Sequence, residues 1–157
     1  MPDDQLLIYW DANVFLSYIN GDPERLSHID AFLEKSGKDI LIYTSTFSIV
    51  EVAFGKAEQD GKALDVETEK KINSLWMPGS PVGLVEFHAL IAEEAKKLMR
   101  HAISCGWKLK PMDAIHMATA LSIPVKEIHT YEPSWDKYSS HIGISIARPI
   151  AAQPKLL

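Results

Sequence analysis

Short apolar runs alternate with helix-length segments along nearly the whole chain, and no other feature of the sequence restricts the fold as strongly. The strand-like runs are residues 5–10, 39–44 and 125–130, with Ile142–Ala147 as a last edge strand. Between them, Ala12–Asn20 has helical character and stops at Gly21. Asp22-Pro23-Glu24 opens a second helix, with Leu26, Ile29, Phe32 and Leu33 as its apolar stripe and Gly37 beyond its end. Further helices are expected over 46–59 (closed by Gly61), 65–76, 88–104 (Ile91, Ala95, Leu98 and Ala102 at helical spacing) and 113–121. Pro78-Gly79-Ser80-Pro81 is a breaker, and Val82–Phe87 after it fits an extended segment leading into the next helix. This alternation predicts an α/β fold, a three-layer α/β/α arrangement around a mostly parallel central sheet. In such sheets ligands bind beyond the carboxyl ends of the strands, so residues just after the strands are the first candidates for function.

The 157 residues suit a single domain, 1–157, large enough to bury a real core. A 46% hydrophobic and 24% charged composition is that of a soluble globular protein rather than a disordered or membrane chain. The one cysteine, Cys105, excludes an internal disulfide framework. The start Met1-Pro2-Asp3-Asp4 lacks the basic stretch of a signal peptide. No apolar run approaches the ~20 residues that span a bilayer. A cytoplasmic protein with no membrane contact is expected. The net charge of −5 argues against a protein that grips nucleic acid through phosphates alone. It leaves room for clustered acids whose local field a bound cation reverses.

Three acids interrupt apolar sequence. Asp11 follows Leu6-Leu7-Ile8-Tyr9-Trp10, Glu51 lies within Phe47–Phe54, and Asp113 heads Ala114–Leu121. A carboxylate in such surroundings is costly unless paired, hydrogen-bonded or bound to a metal. Each also has an ordinary reading: Asp11 as N-cap of the helix from Ala12, Ser48-Ile-Val-Glu51 as a capping box, Asp113 as cap of a helix from Ala114. Strand order places Asp11, Glu51 and the turn Thr130-Tyr131-Glu132 at one end of the sheet. On a helical wheel Glu51 sits beside Phe47 at the edge of the apolar face, and Glu58 falls on nearly the same line. His116, alone on an alanine-rich helix, reads as a packing or supporting residue, and the six histidines lack zinc spacing.

These pieces together resemble the PIN-domain ribonucleases, in particular the VapC-like toxins of type II toxin–antitoxin pairs. The matching segments are Ile8–Leu16, Thr44-Ser45 with Glu51, and Asp113-Ala-Ile-His-Met-Ala-Thr-Ala120, and the likeness covers nearly the whole chain. The resemblance implies an endoribonuclease dependent on Mg²⁺ or Mn²⁺, with RNA as substrate, a homodimer, and a small antitoxin protein as partner. It implies Asp11, Glu51 and Asp113 as the catalytic and metal-binding acids, Glu132 as a fourth metal ligand, and Asn13, Thr130 and His116 as substrate-side or supporting residues. One motif departs. Where the family has Thr-x-Asp, this chain has Thr130-Tyr131-Glu132, with Asp136 as the other acid within reach in sequence.

Two rival functions fit fewer residues. A haloacid-dehalogenase-type phosphatase also has an Asp after its first strand, but it needs an acid at position 13, where Asn stands. A PIN-like binding module for protein or RNA, without turnover, would account for the departure at Glu132.

Overall fold

The computed structural model describes residues 5–151. Met1–Asp4, read above for the missing basic leader, lie outside the described residues, as do positions 152–157. Strands β1 (Leu6–Trp10), β2 (Ile40–Ser45), β3 (Val82–Val85), β4 (Glu127–His129) and β5 (Ser145–Ala147) form one sheet. All its pairings are parallel, in the order β3-β2-β1-β4-β5.

The helices are α1 (Ala12–Asn20), α2 (Leu26–Lys35), α3 (Phe47–Glu51), α4 (Lys56–Gly61), α5 (Val66–Trp76), α6 (Ala89–Ser104), α7 (Pro111–Leu121) and α8 (Ser139–Ile142), with a 3₁₀ segment at Pro133–Tyr138. Successive strand residues face opposite ways, so a sheet covered on both sides buries every position of its central strand. Ile8, Tyr9 and Trp10 are accordingly all fully buried. Tyr9 packs with Ile91 and Leu98 of α6 and Met117 of α7. Ile8 and Trp10 pack on the other face with Phe15 of α1, Ile29 of α2 and Leu75 of α5. The chain is therefore a three-layer α/β/α fold. Its strand order reverses between β1 and β4, which opens a crevice beyond Trp10 and His129.

Several boundaries differ from the sequence expectation: α2 starts at Leu26 and not at Pro23, and β4 is shorter than 125–130. The helix expected over 46–59 is two helices, because Val52 leaves helical geometry (φ −106°, ψ 38°) and is fully buried. The buried Glu58 carboxylate then accepts from Gly55 N (3.0 Å) and Asp65 N (2.8 Å), so the capping acid is Glu58 and not Glu51. Val82–Val85 is a true strand, β3, at the sheet edge beside β2. α7 starts at Pro111, which places Asp113 in its first turn rather than at the cap. The last strand is shorter than expected because Ile142 closes α8 and Gly143 turns with φ 73°.

Candidate active site

Asp11 stands at the mouth of the crevice with extended backbone (φ −70°, ψ 156°). Its Oδ1 accepts from Ala12 N at 2.8 Å, so it caps α1. Its Oδ2 accepts from Thr130 Oγ1 at 2.9 Å, across the β1–β4 switch point. The cap reading holds for this residue, and its second oxygen faces the loop after β4. The Thr130 hydroxyl is shared further, accepting from Asn13 Nδ2 (3.2 Å) and Glu132 N (3.2 Å), while Asn13 Oδ1 accepts from Tyr131 N (3.1 Å). Asn13 and Thr130 thus lock the loop after β4 onto the start of α1.

Glu51 ends α3 and turns toward α7. His116, fully buried in the middle of α7, meets Glu51 Oε1 with its Nε2 at 2.6 Å and lies 3.7 Å from Asp11 Oδ1. Behind it, Tyr9 OH lies 2.6 Å from His116 Nδ1 and accepts from Ser45 N at 3.1 Å. Ser45 N supplies a proton to the Tyr9 oxygen, which leaves the phenol proton for Nδ1 and assigns the Nε2–H to Glu51. At β2's end, Thr44 Oγ1 donates to Trp10 O (2.7 Å) and meets Ser48 Oγ (2.7 Å), tying β1, β2 and α3 together.

Burial pushes the Asp11 carboxyl up to about 6, with the Asp113 charge adding to it and His116, Thr130 and Ala12 N opposing. The half-buried Asp113 is also raised, by burial and then by the Glu132 charge, while His116, Trp135 and Lys110 pull it down. Burial alone would depress His116, but the hydrogen bond to Glu51 and the charges of Asp11, Glu51 and Asp113 outweigh it and raise the imidazole.

The fold thus brings Asp11, Glu51 and His116 into contact and Asp113 and Glu132 into electrostatic reach. Glu132 is exposed and its Oε1 accepts from Ser134 N (3.1 Å), capping the 3₁₀ segment. Asp136 is paired with Arg148, whose guanidinium also donates to Thr130 O, so Glu132 is the freer of the two late acids. Tyr9 escaped the sequence reading. Its signal was available, since a tyrosine in a strand buried on both faces needs a partner for its hydroxyl.

Among the described residues no three acid, histidine or cysteine side chains converge into a complete ligand set. A hard divalent cation asks for less: one or two carboxylates, with waters and substrate oxygens as the remainder. The oxygen-only donors Asp11 and Asp113, each held above its ordinary value by burial and neighbouring charge, fit such an ion.

A family model of the PIN domain matches residues 8–140. The chain belongs to the PIN-domain family. Solved structures share its fold. VapBC2 from Rickettsia felis bound to a DNA fragment from their promoter contains a chain 15% identical, with 90% of this chain and 97% of that chain covered and a TM-score of 0.67. DNA-bound VapBC from Salmonella typhimurium matches at 18% identity, 90% and 97% coverage and a TM-score of 0.61. FitAcB from Neisseria gonorrhoeae matches at 15% identity, the same coverage and a TM-score of 0.60. At these identities the likeness is one of PIN fold. No curated protein matches the sequence.

Proposed function

We propose that this PIN domain is a Mg²⁺- or Mn²⁺-dependent endoribonuclease and the toxin of a toxin–antitoxin pair. The observation that carries the reading is the buried Asp11 at the β1–β4 switch point, its carboxyl pushed up to about 6 and facing the charge of Asp113. Such like charges are held together at a cost that a bound cation offsets. Asp11 and Asp113 would hold the ion, with Glu132 next to them on the loop after β4. The ion, when bound, supplies polarisation of the scissile phosphate and a more acidic bound water.

The chain's own residues do the rest. Thr130 and Asn13 fix the Asp11 carboxylate and the loop bearing Glu132. Ser45, Tyr9 and His116 fix Glu51 through Oε1, leaving Oε2 to take the proton of an attacking water. In-line attack of that water on phosphorus breaks the P–O3′ bond, and the departing 3′-oxygen takes a proton from solvent, which yields a 5′-phosphate and a 3′-hydroxyl.

The toxin assignment rests on the fold neighbours, whose names are those of toxin–antitoxin complexes. The partner proposed for this chain is a small antitoxin, and its own assembly a homodimer. Exposed apolar side chains support both: Ile49 and Val50 on α3 beside the site and Leu84 on the edge strand β3. A single domain over 1–157 and a cytoplasmic setting complete the proposal. No helix of the described residues is long and apolar enough to cross a membrane.

The test is cleavage by the purified chain, free of antitoxin. RNA should be cut with Mg²⁺ or Mn²⁺, EDTA should stop the reaction, and the fragments should carry 5′-phosphates. Cleavage that continues unchanged in EDTA would contradict the proposal.

A further inference from the structure

Resting on the ribonuclease reading, a second feature bears on how an acidic protein admits a polyanion. A groove of about 690 Å³ runs between α6 and the residues leading into α7. Much of its lining is apolar, with Ile103, Leu109, Ile115 and Phe87 among the residues. Lys96, Arg100, Lys108 and Lys110 also line it, and no acid does. Lys96 pairs with Glu93 (2.8 Å), but Arg100, Lys108 and Lys110 are exposed and make no ion pair among the described residues.

In a chain of net charge −5, three uncompensated cations on one apolar groove form a local reversal of the field. The groove also leads to the site. Lys110 is the N-cap of α7, the helix that carries Asp113 in its first turn, and Pro111 and Ile115 of the same helix line the groove. Phe87 is 39% exposed and packs T-shaped with Phe47 (5.0 Å, 76°), so a partly exposed aromatic ring lies on the groove.

We infer that the α6–α7 groove is the track along which single-stranded RNA reaches the acidic site, its phosphates on Arg100, Lys108 and Lys110 and its bases against the apolar lining. Cations with an apolar or aromatic platform are what strand binding without base pairing requires. Phosphates approaching Asp11, Asp113 and Glu132 need such a counter-charge. A protein segment with acids flanking apolar residues is the other macromolecule this chemistry would suit. The groove's place at the start of α7, whose first turn carries Asp113, favours the substrate.

The test compares the full-length wild type with Arg100→Glu/Lys108→Glu and with the charge-neutral Arg100→Gln/Lys108→Gln. A fluorescein-labelled single-stranded RNA is bound in EDTA, followed by anisotropy over a salt series, and cleaved with Mn²⁺. Loss of two phosphate contacts should flatten the slope of log K against log salt by about 1.4, at ~0.7 per contact for single strands. Kd and KM should rise at least about tenfold in the Glu pair and less in the Gln pair, with kcat within about twofold. Matching circular dichroism of the Gln pair keeps a folded variant in the comparison. Wild type that cleaves RNA, with Kd, KM and slope unmoved by the substitutions, would overturn the groove assignment alone. Wild type that binds through the groove but never cleaves would overturn the ribonuclease reading and support the groove. Unchanged RNA affinity with loss of an acidic protein partner would assign the groove to that protein and overturn the RNA track.

Discussion

Asp11 is the residue on which sequence, energetics and proposed chemistry meet. Its folded value of about 6 lies above the ordinary 3.8, so between those two pH values the native state holds a proton that the unfolded chain has released. Stability of the metal-free protein therefore falls as pH rises from about 4 to about 6, and the deficit persists above, on the order of 2–3 kcal/mol. Asp11→Asn should recover much of that at pH 7 and little below pH ~4, since Asn keeps the cap on α1. Urea unfolding of the two proteins at both pH values checks this; equal stabilities at pH 7 would count against a strained carboxyl. The second residue-scale prediction concerns Tyr9. Tyr9→Phe leaves His116 Nδ1 buried without its donor, which should cost about 1–3 kcal/mol of stability. It should also lower kcat about tenfold, equivalent to about 1.4 kcal/mol of lost positioning at Glu51, with KM unchanged. An unaltered kcat in steady-state cleavage would remove Tyr9 from the site. Asp11 was legible because an acid ending a buried apolar run is costly. Tyr9 was not read because aromatic residues in strands so often need no explanation.

At the scale of elements, legibility tracked how local the causes are. β1, α1, α5 and the long α6 were readable because periodicity and terminal Gly or Asp signals lie within each segment. The α3–α4 break was not, because its cause is tertiary. Val52 is drawn into the core, and Glu58 ties Gly55 to the distant Asp65 backbone. A helical wheel drawn across 46–59 therefore aligned Glu51 with Glu58, although one reaches His116 and the other caps a helix. β3 was blurred by its shortness and its neighbour Pro81, and its place depends on Tyr43, whose register partner is Gly83. The Tyr43 ring covers that glycine so closely that an added Cβ would lie 2.5 Å from it. Gly83→Ala should destabilise the protein by about 1–3 kcal/mol through overpacking. Tyr43→Ala in the same chain should absorb most of that penalty in a double-mutant cycle followed by thermal unfolding. Additive losses would show that the ring and the strand do not compete for this space.

For the molecule as a whole, the all-parallel order β3-β2-β1-β4-β5 does the gathering. The switch between β1 and β4 puts Asp11 against Thr130, and the crossover through α6 and α7 returns His116 and Asp113 to the same end. The family pattern made the acids visible in the sequence. The hydrogen-bond chain from Ser45 to Glu51 became visible only once residues 65 positions apart were in contact. If the proposed function holds, this end of the sheet is a cation cradle built on Asp11 and Asp113. Calorimetric titration of Mn²⁺ into the purified chain at about pH 7.5, above the Asp11 value, measures this. Binding should be saturable, weaken at least about tenfold in Asp113→Ala and fade as pH falls through about 6. Binding of equal strength in wild type and Asp113→Ala, or none in the wild type, would contradict it.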